Sequence, residues 1–170
     1  MKYYTIQSKE AYEQAMNKGT MSASKEYVWE EFLVAYDWMI QQMNNRIGHN
    51  GTYPIWLWTE KRDLHDEALL PSGTAGVQIE VEMPTQQVLL SDFEAWHMVL
   101  MNDFLALSGE EDELFSAGKL NITKEASWER VFDLQLLNGS DYWAGEQVIQ
   151  VTTGEINVSQ FKKVEHFIAK

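Results

Sequence analysis

Glu94 and His97 stand three residues apart in a segment, Ser91–His97, that reads as the start of a helix. At that spacing a carboxylate and an imidazole share a helix face and can reach one metal ion. A dinuclear centre would need a second Glu-x-x-His, and the chain has none. The same residues have a structural use: Ser91 and Glu94 match a capping box, and Asp92 suits the positive end of a helix dipole. Capping is the reading taken, and no metal site is assigned. His65-Asp66-Glu67 is a second compact group of possible ligands, read as a solvated loop. Trp56 and Trp58, in Tyr53-Pro54-Ile55-Trp56-Leu57-Trp58, lie on one face of an expected strand, where paired indoles can stack a ring or anchor a partner. Burial in a core is the alternative for both. No His-Glu-x-x-His, Gly-x-Ser-x-Gly, Walker loop or Gly-x-Gly-x-x-Gly occurs, so the corresponding metalloprotease, hydrolase and nucleotide sites lack support.

These residues must be positioned by the elements around them. Aromatic and β-branched residues over Met1–Gln7 predict a strand, after which Ser8 can cap a helix over Lys9–Lys18 that Gly19 ends. Val28, Phe32, Ala35, Tyr36, Met39, Met43 and Ile47 recur at helical spacing, with Gly48 placed to stop them. A turn at His49-Asn50-Gly51 leads to a strand through Tyr53–Thr59, and residues 60–75 read as a loop. Gly76–Met83 alternates cleanly: Val77, Ile79, Val81 and Met83 face a core, and Gln78, Glu80 and Glu82 face water. A short strand over 88–90 precedes a helix from Ser91 to about Leu107. Glu110–Glu113 reads as a loop or frayed helix start, and a helix follows over about Thr123–Leu137. Glu146–Thr153 reads as a strand, and Ile156–Ile168 as strand or helix. The fold class expected is α+β: a single domain over residues 1–170, with a small, mostly antiparallel or mixed sheet packed against about four helices.

Charge is distributed unevenly. The 170 residues hold 13 Lys and Arg against 26 Asp and Glu, a net −13. From Asp63 to Gly118 there is no base, while twelve acidic residues occur there. That balance argues against a surface built to grip nucleic acid or an anionic membrane by electrostatics, since both require clustered Lys and Arg. The chain has no cysteine, which removes disulfide frameworks, Cys-ligated zinc and thiol catalysis. No apolar run approaches the roughly 18 residues of a membrane span, and the N-terminus lacks a signal-peptide core. A soluble cytoplasmic protein is expected.

Tyr4-Thr5-Ile6-Gln7, the Tyr53–Trp58 segment and the stretch from Gly76-Val77 through Leu89–His97 resemble a family of small uncharacterised bacterial and phage proteins, a domain of unknown function. Trp128–Phe132 and Val148–Val151 extend the resemblance over most of the chain. More distantly, the order of elements resembles the ADP-ribosyltransferase-like fold, with Glu146-Gln147-Val148-Ile149 similar to a final strand that starts at a catalytic Glu. That resemblance implies NAD as cofactor and a site formed by Glu146, Tyr4 and a tryptophan. Thr5 stands where such proteins place a first-strand His or Arg for the nicotinamide cofactor.

Two functions are therefore expected in order. The first is a non-enzymatic interaction module, without bound cofactor, that meets a basic protein surface through Asp103, Glu110, Glu111, Asp112 and Glu113, with Trp56 and Trp58 as aromatic anchors. An inhibitor or nucleic-acid mimic in phage–host conflict is the form it would take. The second is a diverged ADP-ribosyltransferase-like enzyme using Glu146 and Tyr4.

Overall fold

In the computed structural model, which describes residues 1–49 and 51–170, the aromatic opening of the chain forms β1 (Lys2–Ser8). Ser8 at once caps α1 (Lys9–Lys18), its hydroxyl accepting from the Ala11 N–H at 3.1 Å. Gly19 ends α1 in the left-handed region, at φ 85°, where a residue without Cβ is favoured. β2 (Thr20–Met21) follows, then α2 (Leu33–Ile47). The helical pattern beginning at Val28 resolves into a 3-10 turn over Glu30–Phe32 before α2 starts. Asn50, in the expected turn, lies outside the described residues.

β3 (Ile55–Trp58), β4 (Ala75–Glu82) and β5 (Leu89–Asp92) come next, with the expected loop before β4. Val77, Ile79, Val81 and Met83 are buried as the alternation requires. Gln78 departs from it: expected on the wet face, it is only 2 % exposed, and its Oε1 accepts from the backbone N–H of Arg62 at 2.8 Å.

The expected Ser91 cap moves by one residue. β5 continues through Asp92, whose carboxylate accepts from the Ala95 N–H at 2.8 Å and starts α3 (Phe93–Leu100), while Ser91 is fully buried. α3 stops seven residues short of Leu107 because Asn102 adopts φ 59°. The Asn102 N–H reaches Val99 O and the Asp103 N–H reaches Met98 O, a Schellman closure that asparagine tolerates better than most residues. The acidic run forms α4 (Gly109–Ser116), capped by Ser108, in place of a loop. The single helix expected over 123–137 is broken into α5 (Lys124–Trp128), a 3-10 turn and α6 (Leu134–Asn138). Asp133 makes the break, since its side chain accepts from the Leu136 N–H and restarts the helix. Last come β6 (Ile149–Thr153), β7 (Ile156–Asn157) and β8 (Phe161–Ile168), so the ambiguous C-terminal segment is strand.

The class is α+β, as expected, with six helices among the described residues rather than about four. A six-stranded sheet runs in the order β5-β6-β3-β1-β4-β8, and β2 pairs with β7 separately. β1 is antiparallel to β3 and β4, and β4 is antiparallel to β8. The chain divides into two compact units. The sheet unit comprises Met1–Tyr27, Ile40–Leu89 and Val151–Lys170; the helical unit comprises Val28–Met39 and Leu90–Gln150. The core of the sheet unit gathers Tyr3, Met43, Leu57, Val77, Ile79 and Ile156. That of the helical unit gathers Met39, Trp96, Leu105, Trp128, Val131 and Leu137.

Candidate functional site

The charge that the sequence concentrates between residues 63 and 118 follows the units instead. The helical unit holds 15 acidic residues against three basic ones, a net −12, while the sheet unit holds 11 against ten, a net −1. On α4, Glu110 and Glu113 lie three residues apart and share a helix face, and both are exposed, as are Asp112 and Asp103. Glu111 is turned the other way. Its carboxylate receives Arg130 in a two-pronged pair, Nη2 to Oε1 at 2.6 Å and Nη1 to Oε2 at 2.8 Å, and also the Leu107 N–H at 2.7 Å. The Arg130 hydrogen bonds, with that N–H, hold the Glu111 carboxyl below its ordinary value against the opposing effect of burial.

This pair belongs to a larger device. Asp103–Leu107 lies in no helix or strand, so its backbone groups need partners from side chains. Trp128 Nε1 donates to Asp103 O at 2.7 Å, Arg130 Nη1 to Leu105 O at 2.7 Å and Trp143 Nε1 to Ala106 O at 2.7 Å. Ser127 Oγ accepts from the Leu105 N–H at 2.9 Å. Arg130 is thus committed to the interior, and the helical unit's acids are left with Lys119 and Lys124 as the remaining cations.

In the sheet unit, Tyr4 lies directly opposite Trp58 on β3 and opposite Glu80 on β4, while Lys163 on β8 is opposite Glu80. Trp56 and Trp58 are half-buried on one face, with Ile55 and Leu57 buried on the other. The Arg62 guanidinium lies 4.5 Å from the centre of the Trp58 ring. Lys2 pairs with Glu80 at 2.8 Å and Lys61 with Glu165 at 2.6 Å; the latter contact raises the Lys61 ammonium and lowers the Glu165 carboxyl. Tyr4, Trp56 and Trp58 therefore share a strand face, and a cavity of about 50 Å³ opens beside Tyr4. Nothing in the sequence pattern assigned a role to Lys61, Arg62, Gln78 or Glu165. The adjacent bases Lys61-Arg62, directly after the Trp strand, are the one signal that could have drawn attention to them.

Glu146 is exposed and lies three residues before β6 begins, in the helical unit, whereas Tyr4 belongs to the sheet unit. His97 is exposed; its Nδ1 is 2.9 Å from Phe93 O, and its ring stands edge-on to Phe93. Among the described residues no three His, Cys, Asp or Glu side chains gather as metal ligands. No helix among them is long and apolar enough to cross a membrane. A further opening of about 430 Å³, lined in part by His49, Thr52, Gln87 and Asn157, brings Gly154 so close to the His49 ring that a Cβ there would overlap it.

Residues 2–122 match the family described as Domain of unknown function (DUF3841). The chain belongs to this family. The DUF3841 match takes in α1 to α4 and β1 to β5, and therefore Tyr4, Trp56, Trp58, Gln78 and the acidic α4. Arg130, Trp128, Glu146 and the strands β6 to β8 lie beyond it, as do the segments 128–132 and 148–151 that the sequence resemblance included. No curated protein and no solved structure matches the chain.

Proposed function

We propose that the protein is an acidic interaction module, acting in the cytoplasm, whose helical unit docks on a basic protein surface. The observation supporting this is the partition of charge: −12 in the helical unit against −1 in the sheet unit. A solubilising charge has no reason to concentrate in one unit, whereas a concentrated field raises encounter rates with an oppositely charged partner. Glu110, Asp112 and Glu113 project from α4, and Asp103 is exposed just after α3, so these four are the contacts proposed. Glu111 serves by holding α4 to Arg130 rather than by meeting the partner. A partner whose basic groove normally holds nucleic acid would make the protein a mimic or inhibitor, a role suited to phage–host conflict.

Affinity selection from host lysate tests this with wild type and with Glu110→Lys, Asp112→Lys and Glu113→Lys combined. A specific basic protein should be retained at low salt, released as salt rises, and lost with the triple variant. Retention indifferent to both would overturn the proposal. Adding NAD to the same selection addresses the transferase alternative: NAD-dependent labelling of a captured protein, abolished by Glu146→Gln, is its required outcome.

A further inference from the structure

The molecule holds a small built polar cavity on the face of the sheet unit, independent of the acidic surface. It measures about 50 Å³ and is lined by Tyr4, Lys61, Gln78, Glu80, Lys163 and Glu165. One water needs about 10–15 Å³ of such space, so the cavity admits a group the size of a carboxylate. Gln78 is the deciding residue. Because its Oε1 accepts from the Arg62 N–H, the amide orientation is fixed and the other end must be Nε2. That Nε2 is buried, lines the cavity through a side chain only 2 % exposed, and finds no acceptor. A buried donor left alone is destabilising, and its presence beside a cavity asks for an acceptor there.

Charge narrows the acceptor. The four charged residues of the lining cancel, but Glu80 is paired with Lys2 from outside it and Glu165 with Lys61, so Lys163 is in surplus and the cluster with Lys2 included carries a net +1. A monoanion balances it; a phosphate dianion would sit uncompensated beside two carboxylates. A cleft of about 620 Å³ shares Lys61 and Glu165 with this cavity and is lined also by Leu64, Phe167 and Ile168, with Asp63, His65 and Lys170 around them. Arg62 lines that cleft too, and its Nε is a second buried donor without an acceptor.

We propose that this cavity is the carboxylate subsite of a small-molecule site for a monocarboxylic acid with an apolar body. The carboxylate accepts from Gln78 Nε2 beside Lys163, and the body lies along Leu64, Phe167 and Ile168.

Hexanoate is the probe, titrated into ¹⁵N-labelled full-length protein while the Gln78 side-chain amide signals are followed. The expected result is a saturable shift of those signals, with 1-hexanol and inorganic phosphate giving none. Lys163→Met should weaken hexanoate at least about tenfold and Lys163→Arg should restore it, the range expected for a hydrogen bond or contact to a charged group. Gln78→Met, followed through the backbone amide signals of β4 and β8, should weaken it similarly. Should that variant fail to fold, the exposed Lys163 pair decides alone. Absence of saturation, equal binding of hexanol or phosphate, or undiminished binding by Lys163→Met would overturn the proposal.

Discussion

The two units solve the problem of charge in opposite ways. In the sheet unit carboxylates and ammoniums are interleaved across neighbouring segments: Lys2 meets Glu80, Lys61 meets Glu165, and Arg62 meets Asp66. Eleven acids and ten bases nearly cancel there. The helical unit has only three bases, and the best placed of them, Arg130, is directed inward to Glu111 and to Leu105 O. Fourteen acids are left with Lys119 and Lys124, and Lys124 itself lies 5.8 Å over the Trp128 ring. An irregular segment, Asp103–Leu107, consumed the cation that might have neutralised the surface, because its carbonyls needed a donor. The lesson is that a surface potential can follow from how a backbone is satisfied inside.

The largest effect separating the units should come from their tryptophans. Trp128 is 1 % exposed, donates to Asp103 O and stands edge-on to Trp38 at 5.6 Å. Trp128→Ala should lower unfolding free energy by about 3–5 kcal/mol. Trp58→Ala, at a half-buried ring under Arg62, should lower it by only about 1–2 kcal/mol. Urea denaturation of both variants checks this, and equal losses would break the contrast between a core indole and a sheet-face one.

Next in size is the Glu111–Arg130 pair. Glu111→Gln leaves the Arg130 guanidinium and the Leu107 N–H with a weaker acceptor, and should cost about 2–3 kcal/mol at neutral pH. Because the folded-state value of Glu111 lies below its ordinary 4.5, the stabilisation is complete above that pH and is lost as pH falls through the folded value. Wild type should therefore lose its advantage over Glu111→Gln on acidification, seen as converging denaturation curves. A gap that widened toward low pH would reverse the sign and refute the assignment.

A smaller effect marks the start of the irregular segment. Asn102→Ala places a β-carbon residue at φ 59° without asparagine's tolerance and should cost about 1 kcal/mol, whereas Asn102→Gly should be neutral or better, by thermal unfolding. Smallest of all is the expected stability change on reversing Glu110, Asp112 and Glu113 to Lys, within about 0.5 kcal/mol for each exposed position. Loss of partner binding by a variant this stable would separate docking from folding.

Much of the fold was legible where one local signal decided it. Ser8 and Gly19 bracketed α1 to the residue, and the alternation over Val77–Met83 placed the inner face of β4 correctly. What failed was decided by distant partners. Gln78 has the position of a wet-face residue, yet it is buried and accepts from the Arg62 backbone sixteen residues earlier, a partner no local signal announces. α3 ended at Leu100 because a Schellman closure at Asn102 overrode an apolar stripe that continues past it. Within the candidate surfaces, Tyr4, Trp56 and Trp58 were read onto strands, but their shared face depends on β1–β3 register. Glu111 looked equivalent to its acidic neighbours, since nothing local announces a partner nineteen residues later. The two units left no compositional trace: the chain passes between them four times, so no linker marks a boundary.

The location of the binding field is tested most directly by titrating the ¹⁵N-labelled protein with a short oligolysine peptide at low ionic strength and mapping amide shifts. The charge partition predicts shifts concentrated in the helical unit, at Asp103, Glu110, Asp112 and Glu113 and their neighbours, that vanish as salt rises. Shifts of equal size in the sheet unit, or shifts that survive salt, would contradict the account.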